Sequence, residues 1–343
     1  MTTHSSVSDL PTTTRAIAAL SAGPVDADSS FAAVDIALPA PGPHDLLVEV
    51  RAVSVNPVDI KVRTAFGAAE APKVLGFDAA GVVVAIGSEV SAFSVGDEVY
   101  YAGSIARNGA NADHHLVDER ITGHKPRSLD FAAAAAVPLT TLTAWESLFE
   151  RMALRKDSTD TVLVMAGAGG VGSMAIQLAR QLTGATVIAT ASREESAAWA
   201  ESLGAHHVVN HHALRDDLRK VAPGGVNRIL SPFSLGNVQT YADVMAVHGQ
   251  VVAIDEPAGL DTLPLKAKSQ TWHWELMFTR PLFDPESTAQ REILDEAARL
   301  FDAGVLKSTL TRKLTPITPE TLREAHRAVE GSTMVGKIVV AKE

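Results

Sequence analysis

A run of glycines in the middle of the chain constrains the fold more than any other feature. Residues 161–182 read TVLVMAGAGGVGSMAIQLARQL, in which a short apolar run leads to Gly167, Gly169 and Gly172 and an apolar pattern of helical period follows. A second apolar segment, TVIATAS at 186–192, stands at the distance expected for a strand–helix–strand unit. In this context the spacing G-x-G-x-x-G predicts a loop that holds the pyrophosphate of a dinucleotide, rather than a simple tight turn.

Each glycine of this loop has an expected physical role. Gly167 would allow the tight turn, Gly169 would let the backbone approach the phosphates, and Gly172 would let the helix pack closely on the strand. Gly170 and Val171 stand at the start of the predicted helix, where unpaired N–H groups and the positive end of the helix dipole favour an anion. We therefore predict that all five residues contact the cofactor.

The end of the second strand distinguishes the two nicotinamide dinucleotides. An NAD site usually has an acidic residue there to bind the ribose 2′-hydroxyl, whereas this chain has Ser192 and Arg193. A hydroxyl and a guanidinium suit a 2′-phosphate, which arginine can bind through two hydrogen bonds. Glu194 and Glu195 could instead occupy Arg193, or serve as acidic residues in the first turn of the next helix. The pattern favours NADPH over NADH.

The composition excludes several classes of protein. The formal net charge of −10 argues against nucleic acid as a main partner, because such binding depends on Lys and Arg. The chain has no cysteine, which excludes disulfides, thiolate nucleophiles and Cys-ligated metals and fits a cytoplasmic protein. No apolar run is long enough for a membrane span. Residues 1–14 are polar, lack the apolar core of a signal peptide, and are predicted to form a mobile extension.

The order of the predicted elements indicates two domains in 343 residues. Residues 15–127 consist mainly of short strands and turns, which predicts an irregular β domain or barrel. In residues 128–303 strands and helices alternate, with ELMFT at 275–279 as the last strand, which indicates an α/β fold with a doubly wound parallel sheet. Strand-like segments return after Gly304, and we expect residues 304–343 to rejoin the first domain.

Several motifs together resemble the medium-chain dehydrogenase/reductase superfamily. They are AGAGGVG followed by IQLAR, LGAHHVVNHH and VGKIVV, with VSVNPVDIKVR, VLGFDAAGVV and SVGDEVYY in the first domain. The resemblance covers about residues 30–343 and points to the quinone-oxidoreductase-like branch, within the zinc-type alcohol dehydrogenase-like subgroup. It implies a GroES-like β domain, a Rossmann domain, an active site in the cleft between them, and a homodimer.

The zinc ligands that this resemblance would imply are not found at the corresponding positions. Zinc-binding members have ligands where this chain has Asn56, Phe77 and Leu139. Asp78 remains as a single acid, which is better explained as a capping or turn carboxylate, whereas a catalytic zinc needs three protein ligands. The adjacent histidine pairs of the chain lack the spacing of a chelate on one face. We therefore predict no metal site.

Without zinc as a Lewis acid, the expected chemistry is hydride transfer from NADPH to an acceptor that is already electrophilic. Quinones and α,β-unsaturated carbonyls fit, because conjugation spreads the developing negative charge to oxygen. Two alternatives remain open. One is a carbonyl reductase or alcohol dehydrogenase that recruits a metal through its histidines, and the other is a non-catalytic, crystallin-like protein that binds the nucleotide.

The resemblance also implies candidate site residues outside the glycine loop. Asn56 could donate to the acceptor oxygen or belong to a turn, and Asp59 could orient or protonate the acceptor or form a surface pair. Tyr101 could line the cleft as a third catalytic residue. The remaining candidates would contact the cofactor: Thr143 at the nicotinamide, Lys337 from the returning segment unless it is solvated, His211 at the 2′-phosphate, and Phe233 at the cofactor edge.

Overall fold

The computed structural model describes residues 11–331 and 333–343. Its strands are β1 (Thr13–Ala19), β2 (Ala32–Ala37), β3 (Asp45–Ser54), β4 (Lys73–Val74), β5 (Ala79–Ile86), β6 (Glu98–Tyr101), β7 (His114–Asp118), β8 (Thr122–His124), β9 (Thr161–Val164), β10 (Thr186–Thr190), β11 (His207–Val209), β12 (Val226–Ser231), β13 (Met245–Ala253), β14 (Thr271–Trp274), β15 (Leu310–Leu314) and β16 (Lys337–Ala341). Its α-helices are α1 (Pro57–Ala65), α2 (Phe131–Ala135), α3 (Pro138–Trp145), α4 (Gly170–Leu182), α5 (Glu194–Ser202), α6 (Leu214–Val221), α7 (Val238–Val244), α8 (Thr279–Phe283), α9 (Ala289–Asp302) and α10 (Pro319–Glu330).

Strands from the first part of the chain and from its C-terminal part form two sheets that share an apolar core. The larger sheet has the order β15-β16-β3-β5-β6-β8, with β7 also paired to β3, and the smaller sheet has the order β2-β1-β4. Ile17 of β1 and Val48 of β3 lie in the same cluster of buried side chains, so the two sheets share a core. The C-terminal strand β16 lies antiparallel to β3, with Val340 opposite Val53, and the chain thus returns to its first sheet.

The N-terminal strand begins within the predicted mobile extension. Residues 1–10 of the predicted extension 1–14 lie outside the described residues. Thr13 and Thr14 belong to β1, where they pair with Ala37 and Ile36 of β2. These two residues are therefore held in the β domain by backbone hydrogen bonds.

The middle of the chain forms a separate sheet in which every strand is parallel. Its order is β11-β10-β9-β12-β13-β14, so the chain starts at the centre, winds outward to one edge, and then winds to the other. The order reverses between β9 and β12, where doubly wound sheets leave a crevice at the carboxyl ends of the strands. The combination of a β domain and a doubly wound parallel sheet confirms the predicted fold class.

The sixth strand of this sheet lies earlier than predicted. The strand is β14, Thr271–Trp274, whereas residues 275–278 form a turn that leads into α8, which begins at Thr279. Met277 and Phe278 in that turn are buried, and the Phe278 ring packs against Phe77 at 5.7 Å between centroids. The prediction of a strand at 275–279 is wrong because a short apolar run can equally belong to a buried turn.

A pair of short helices connects the two sheets. Asp130 begins α2 by accepting a hydrogen bond from the backbone N–H of Ala133 at 2.7 Å, and Pro138 stands in the first turn of α3. The small alanine side chains of α2 let it pack closely against β3, β5 and β16, while α3 packs against α4 and α9. Residues 131–145 therefore connect the two domains and pack against both. Within the described ranges, no helix is long and apolar enough to cross a membrane.

Candidate cofactor and active site

The glycine-rich loop joins β9 to α4 and depends on close packing. The left-handed residue of the turn is Ala166, with a φ of 52°, so the turn does not need a positive φ at Gly167. A Cβ on Gly167 would lie 2.7 Å from the Cβ of Ala189, so this glycine instead allows the loop to pack on β10. A Cβ on Gly172 would lie 2.3 Å from the carbonyl oxygen of Ala166, in keeping with close packing of helix on strand.

The remaining loop residues face a cavity. Gly169 precedes the first turn of α4 without a capping side chain, which leaves the N–H groups there available to an anion. Gly169, Gly170, Val171 and Gly172 line the cavity, whereas Gly167 lies behind them. A Cβ on Gly170 would lie 2.8 Å from the Cδ of Lys337, so a side chain from the β domain lies directly against the loop.

The cavity has a volume of about 1230 Å³ and lies between the domains at the carboxyl ends of β9, β10, β12 and β13. Single-ligand pockets typically measure about 300–1,000 Å³, so this cavity can hold a dinucleotide together with a small second molecule. Pro232 follows the last residue of β12, and the next residue, Phe233, lines the cavity with 53% of its surface exposed. The cavity thus occupies the crevice where the strand order reverses.

One end of the cavity is rich in cationic and polar side chains. Ser192 and Arg193, at the end of β10, both line it, and His211 lines it from the segment after β11. The Arg193 guanidinium donates to the Thr333 carbonyl at 2.6 Å and lies 3.8 Å from Glu195, and 44% of its side chain is exposed. Partial burial, together with a neighbouring histidine, lowers the pKa of His211. The structure therefore brings the three predicted residues of the adenosine end together.

A second arginine at this end was missed by the sequence reasoning. Arg215 lines the same part of the cavity from the first turn of α6, and it pairs with Asp243 at 2.7 Å. His212 lines the cavity beside His211, with their ring centroids 4.1 Å apart. The available signal was the position of Arg215 at the start of the helix that follows the third strand of the sheet.

Asn56 and Asp59 stand at the start of α1 and support each other. One oxygen of the Asp59 carboxylate accepts from the backbone N–H of Asn56 at 2.8 Å, and the other accepts from the backbone N–H of Gly76 at 2.8 Å. Asp59 is fully buried, and burial raises its pKa to about 6 although both N–H donors oppose the shift. Asp59 is therefore a capping residue behind the cavity wall, neither a surface partner nor a group that faces an acceptor.

Lys337 lies at the centre of a buried polar network. Its ammonium group donates to the Asp78 carboxylate, with 3.1 Å between Nζ and Oδ2, to the Val55 carbonyl at 3.2 Å, and to the side-chain oxygen of Asn56. The second oxygen of Asp78 accepts from the backbone N–H of Leu139 at 2.7 Å. Burial raises the pKa of Asp78, and the Lys337 charge opposes that shift. Lys337 is therefore buried and paired, and not solvated.

The side chain of Asn56 is fully used within this network. Its amide nitrogen donates to Asp78 at 2.8 Å and to the Phe77 carbonyl at 3.2 Å, while its oxygen accepts from Lys337. Asn56 lines the cavity, but both amide hydrogens already have acceptors. In this arrangement Asn56 shapes the wall and has no further hydrogen to donate to an acceptor oxygen.

Two other predicted residues lie away from the cavity. Tyr101 is 1% exposed in the core of the β domain, where its hydroxyl lies 3.1 Å from the Nδ1 of His115. Thr143 donates its hydroxyl to the Leu139 carbonyl at 2.8 Å, and one helical turn earlier Thr140 lines the cavity instead. Thr140, and not Thr143, therefore lines the cavity, and Tyr101 belongs to the core of the β domain.

Comparison with known proteins decides the family. Residues 42–147 match the alcohol dehydrogenase GroES-like domain family, and residues 170–274 match the zinc-binding dehydrogenase family. A zinc-type alcohol dehydrogenase-like protein of Staphylococcus aureus (strain MSSA476) is 38% identical over 314 residues, which span 88% of this chain and 92% of that protein. The chain belongs to the medium-chain dehydrogenase/reductase superfamily.

Two further relatives support the predicted branch of the medium-chain dehydrogenase/reductase superfamily. The crystal structure of a protein of Rhizobium etli CFN 42, assigned to the zinc-dependent alcohol dehydrogenases, superimposes with a TM-score of 0.92 at 44% identity and covers 96% of this chain and 98% of that one. Human quinone oxidoreductase is 29% identical over 317 residues, 89% of this chain and 92% of that protein. This medium-chain enzyme is an oxidoreductase with a GroES-like domain and a Rossmann domain that binds a nicotinamide dinucleotide.

The described side chains of this medium-chain oxidoreductase do not offer a zinc site. No group of three or more His, Asp or Glu side chains that could hold a metal lies anywhere in the described part of the chain. At the positions implied by the resemblance, Asn56 and Asp78 already bind the Lys337 ammonium, and Leu139 contributes only its backbone N–H. Because a cation placed there would lie against the Lys337 charge and lack three ligands, the residues do not fit zinc.

Proposed function

We propose that this protein is an NADPH-dependent reductase that transfers a hydride to a quinone or an α,β-unsaturated carbonyl without a metal. The observation that supports the cofactor is the cationic end of the cavity, where Ser192 and Arg193 replace the acidic residue of an NAD site and Arg215 adds a second guanidinium. Guanidinium groups bind phosphate through charge-assisted hydrogen bonds, so this end suits an adenosine 2′-phosphate.

The choice of acceptor follows from the other end of the cavity. Asn56 and Lys337 are engaged with each other and with Asp78, so neither side chain has a free hydrogen with which to polarise an isolated carbonyl. A conjugated acceptor needs less of this help, because its own π system spreads the developing charge. The relationship to human quinone oxidoreductase supports the same class of acceptor.

An acceptor screen tests this proposal. Purified protein would be mixed with NADPH or NADH and a panel of quinones, enones and simple aldehydes, and the nicotinamide absorbance would be followed with and without a chelator. We expect turnover of quinones or enones with NADPH, at a rate that the chelator does not change. Chelator-sensitive reduction of simple aldehydes would support a metal-dependent carbonyl reductase, and binding of NADPH without any turnover would support a non-catalytic role.

Substitution of Arg193 tests the cofactor preference. Arg193→Ala should weaken NADPH binding by about 10- to 100-fold, the loss expected for one charge-assisted contact, and should leave NADH binding nearly unchanged. Titration of nucleotide into the protein by calorimetry would measure both affinities. Arg155→Ala is a matched control, because Arg155 belongs to the same domain, is 78% exposed, pairs with neighbouring Asp157 and is not among the described residues that line the cavity. An equal loss for both nucleotides would contradict the assignment of the 2′-phosphate site.

We also propose that the protein forms a homodimer through the free edge of the parallel sheet. In the described residues β14 pairs with β13 on one side only, and an unpaired strand edge favours association. Trp274, Leu276 and Phe283 near this edge are 52%, 50% and 80% exposed, which is unusual for large apolar side chains. Light scattering after gel filtration should give twice the mass of the chain, and Trp274→Asp should shift the protein toward the monomer.

A further inference from the structure

Lys61 differs from the other polar side chains at the nicotinamide end of the cavity. It projects from α1 and lines the cavity, and 51% of its side chain is exposed. Asn56 and Lys337 in the same wall are buried and bonded to protein partners, and the Thr140 hydroxyl donates to the Val137 carbonyl at 3.1 Å. Among these described wall residues, Lys61 therefore has the most freedom to contact a second ligand.

The partner of Lys61 places it near the end of the cavity where the nicotinamide would lie. Its Nζ lies 2.6 Å from the Oε1 of Glu256, which follows β13 in the other domain. With the adenosine end of the cavity beside β10 and β11, the nicotinamide half of a dinucleotide would lie across the reversal of strand order, toward the ends of β12 and β13. Ile254, two residues before Glu256, lines that part of the cavity.

The ion pair between Lys61 and Glu256 positions the ammonium group but leaves it able to contact another partner. Both side chains are more than half exposed, at 51% and 69%, so water screens their attraction. An exposed pair of this kind is easily exchanged for another partner, such as an oxygen that becomes negatively charged. The ammonium group has three hydrogens to donate, so one of them can reach an acceptor while another stays on Glu256.

We propose that Lys61 is a catalytic residue that stabilises and protonates the anion formed by hydride transfer, an inference that rests on the function proposed above. A hydride with its two electrons leaves C4 of NADPH and bonds to the β-carbon of an enone, and the π electrons move to oxygen to form an enolate. The Lys61 ammonium then gives one proton to the enolate, and the neutral amine regains a proton from water at its exposed side. The products are NADP⁺ and the saturated carbonyl.

Two acceptors that differ in their need for a proton donor test this role. A nitroalkene forms a nitronate after hydride addition, and this anion is stable without a proton donor, whereas the enolate of an enone is not. Lys61→Met should lower kcat for an enone by about 100-fold, the lower range of general acid catalysis, and should change the nitroalkene rate far less. The Kd of NADPH, measured by fluorescence, should be unchanged. Lys220→Met, which removes a 72% exposed lysine paired with Asp217 on α6, is the matched control.

The possible failures are distinguishable. If Lys61→Met lowers the enone and nitroalkene rates equally, or lowers neither while the wild type is active, Lys61 has no role as a proton donor and the proposed reductase function stands. If the wild-type protein binds NADPH but reduces neither acceptor, both the function and the role of Lys61 are overturned.

Discussion

Asp78→Ala is expected to lower the free energy of unfolding by about 3–5 kcal/mol, the usual cost of removing one partner of a buried ion pair. The Asp78 side chain is 0% exposed and that of Lys337 is 5% exposed, so the variant would leave a buried ammonium without its counter-charge. It would also remove the acceptor of the Leu139 N–H, at the start of the helix that connects the domains. Urea unfolding followed by circular dichroism would measure the loss.

A double-mutant cycle separates the pair from its surroundings. If the charges stabilise each other, the loss in the double variant Asp78→Asn/Lys337→Met should be smaller than the sum of the two single losses. Asp157→Ala is the control for an exposed pair, since Asp157 and Arg155 are 79% and 78% exposed, and it should change stability by less than about 0.5 kcal/mol. Additive losses in the cycle would show that the two charges do not interact and would refute the network as described.

Gly172→Ala is expected to weaken nucleotide binding strongly. The added Cβ would lie 2.3 Å from the Ala166 carbonyl oxygen and 2.9 Å from the Cα of Gly167, and neither backbone atom can move without displacing the loop. Overpacking of this kind costs about 1–3 kcal/mol of stability. Because the N–H groups of the loop must point at the phosphates, the Kd for NADPH should rise by at least about tenfold. Calorimetry and thermal unfolding would measure the two effects.

The control for this substitution lies in the same domain. A Cβ on Gly224 would meet no atom within 4 Å, so Gly224→Ala should leave both the affinity and the stability nearly unchanged. If Gly172→Ala bound NADPH as tightly as the wild type, the loop would not be the pyrophosphate site. If Gly224→Ala lost affinity to the same extent, the effect would be a general one of added side chains.

The parts of the site that could be predicted are those encoded within one short segment. The strand, the glycines and the helix of residues 161–182 are adjacent in the chain, so their spacing alone indicates a phosphate-binding turn. Ser192 and Arg193 follow from the same regularity, because the carboxyl ends of neighbouring parallel strands meet at one edge of the sheet, whereas His211 was implied by the family resemblance. Even there the exact role of Gly167 depended on Ala189, which packs against it from the next strand.

The parts that could not be predicted depend on partners far away in the chain. Nothing near Asn56 in the sequence shows that its amide is held by Asp78 and Lys337, the latter in the last strand of the protein. Thr143 and Thr140 differ by one helical turn, and only the packing of α3 selects which of them faces the cavity. Tyr101 alternates with Tyr100 along β6, and both are buried.

The amino-acid sequence by itself determined the two-domain α/β architecture and the glycine-rich loop, because hydrophobic period and glycine spacing act between residues a few positions apart. Its motifs, taken together, indicated the superfamily by resemblance. The tertiary structure alone decided which polar side chains are free to react. It buries Asp59, joins Asn56 to Lys337 and leaves Lys61 exposed beside Glu256. The physical reason is that the hydrogen-bond partners of a buried group come from distant segments, and burial itself sets the cost of its charge.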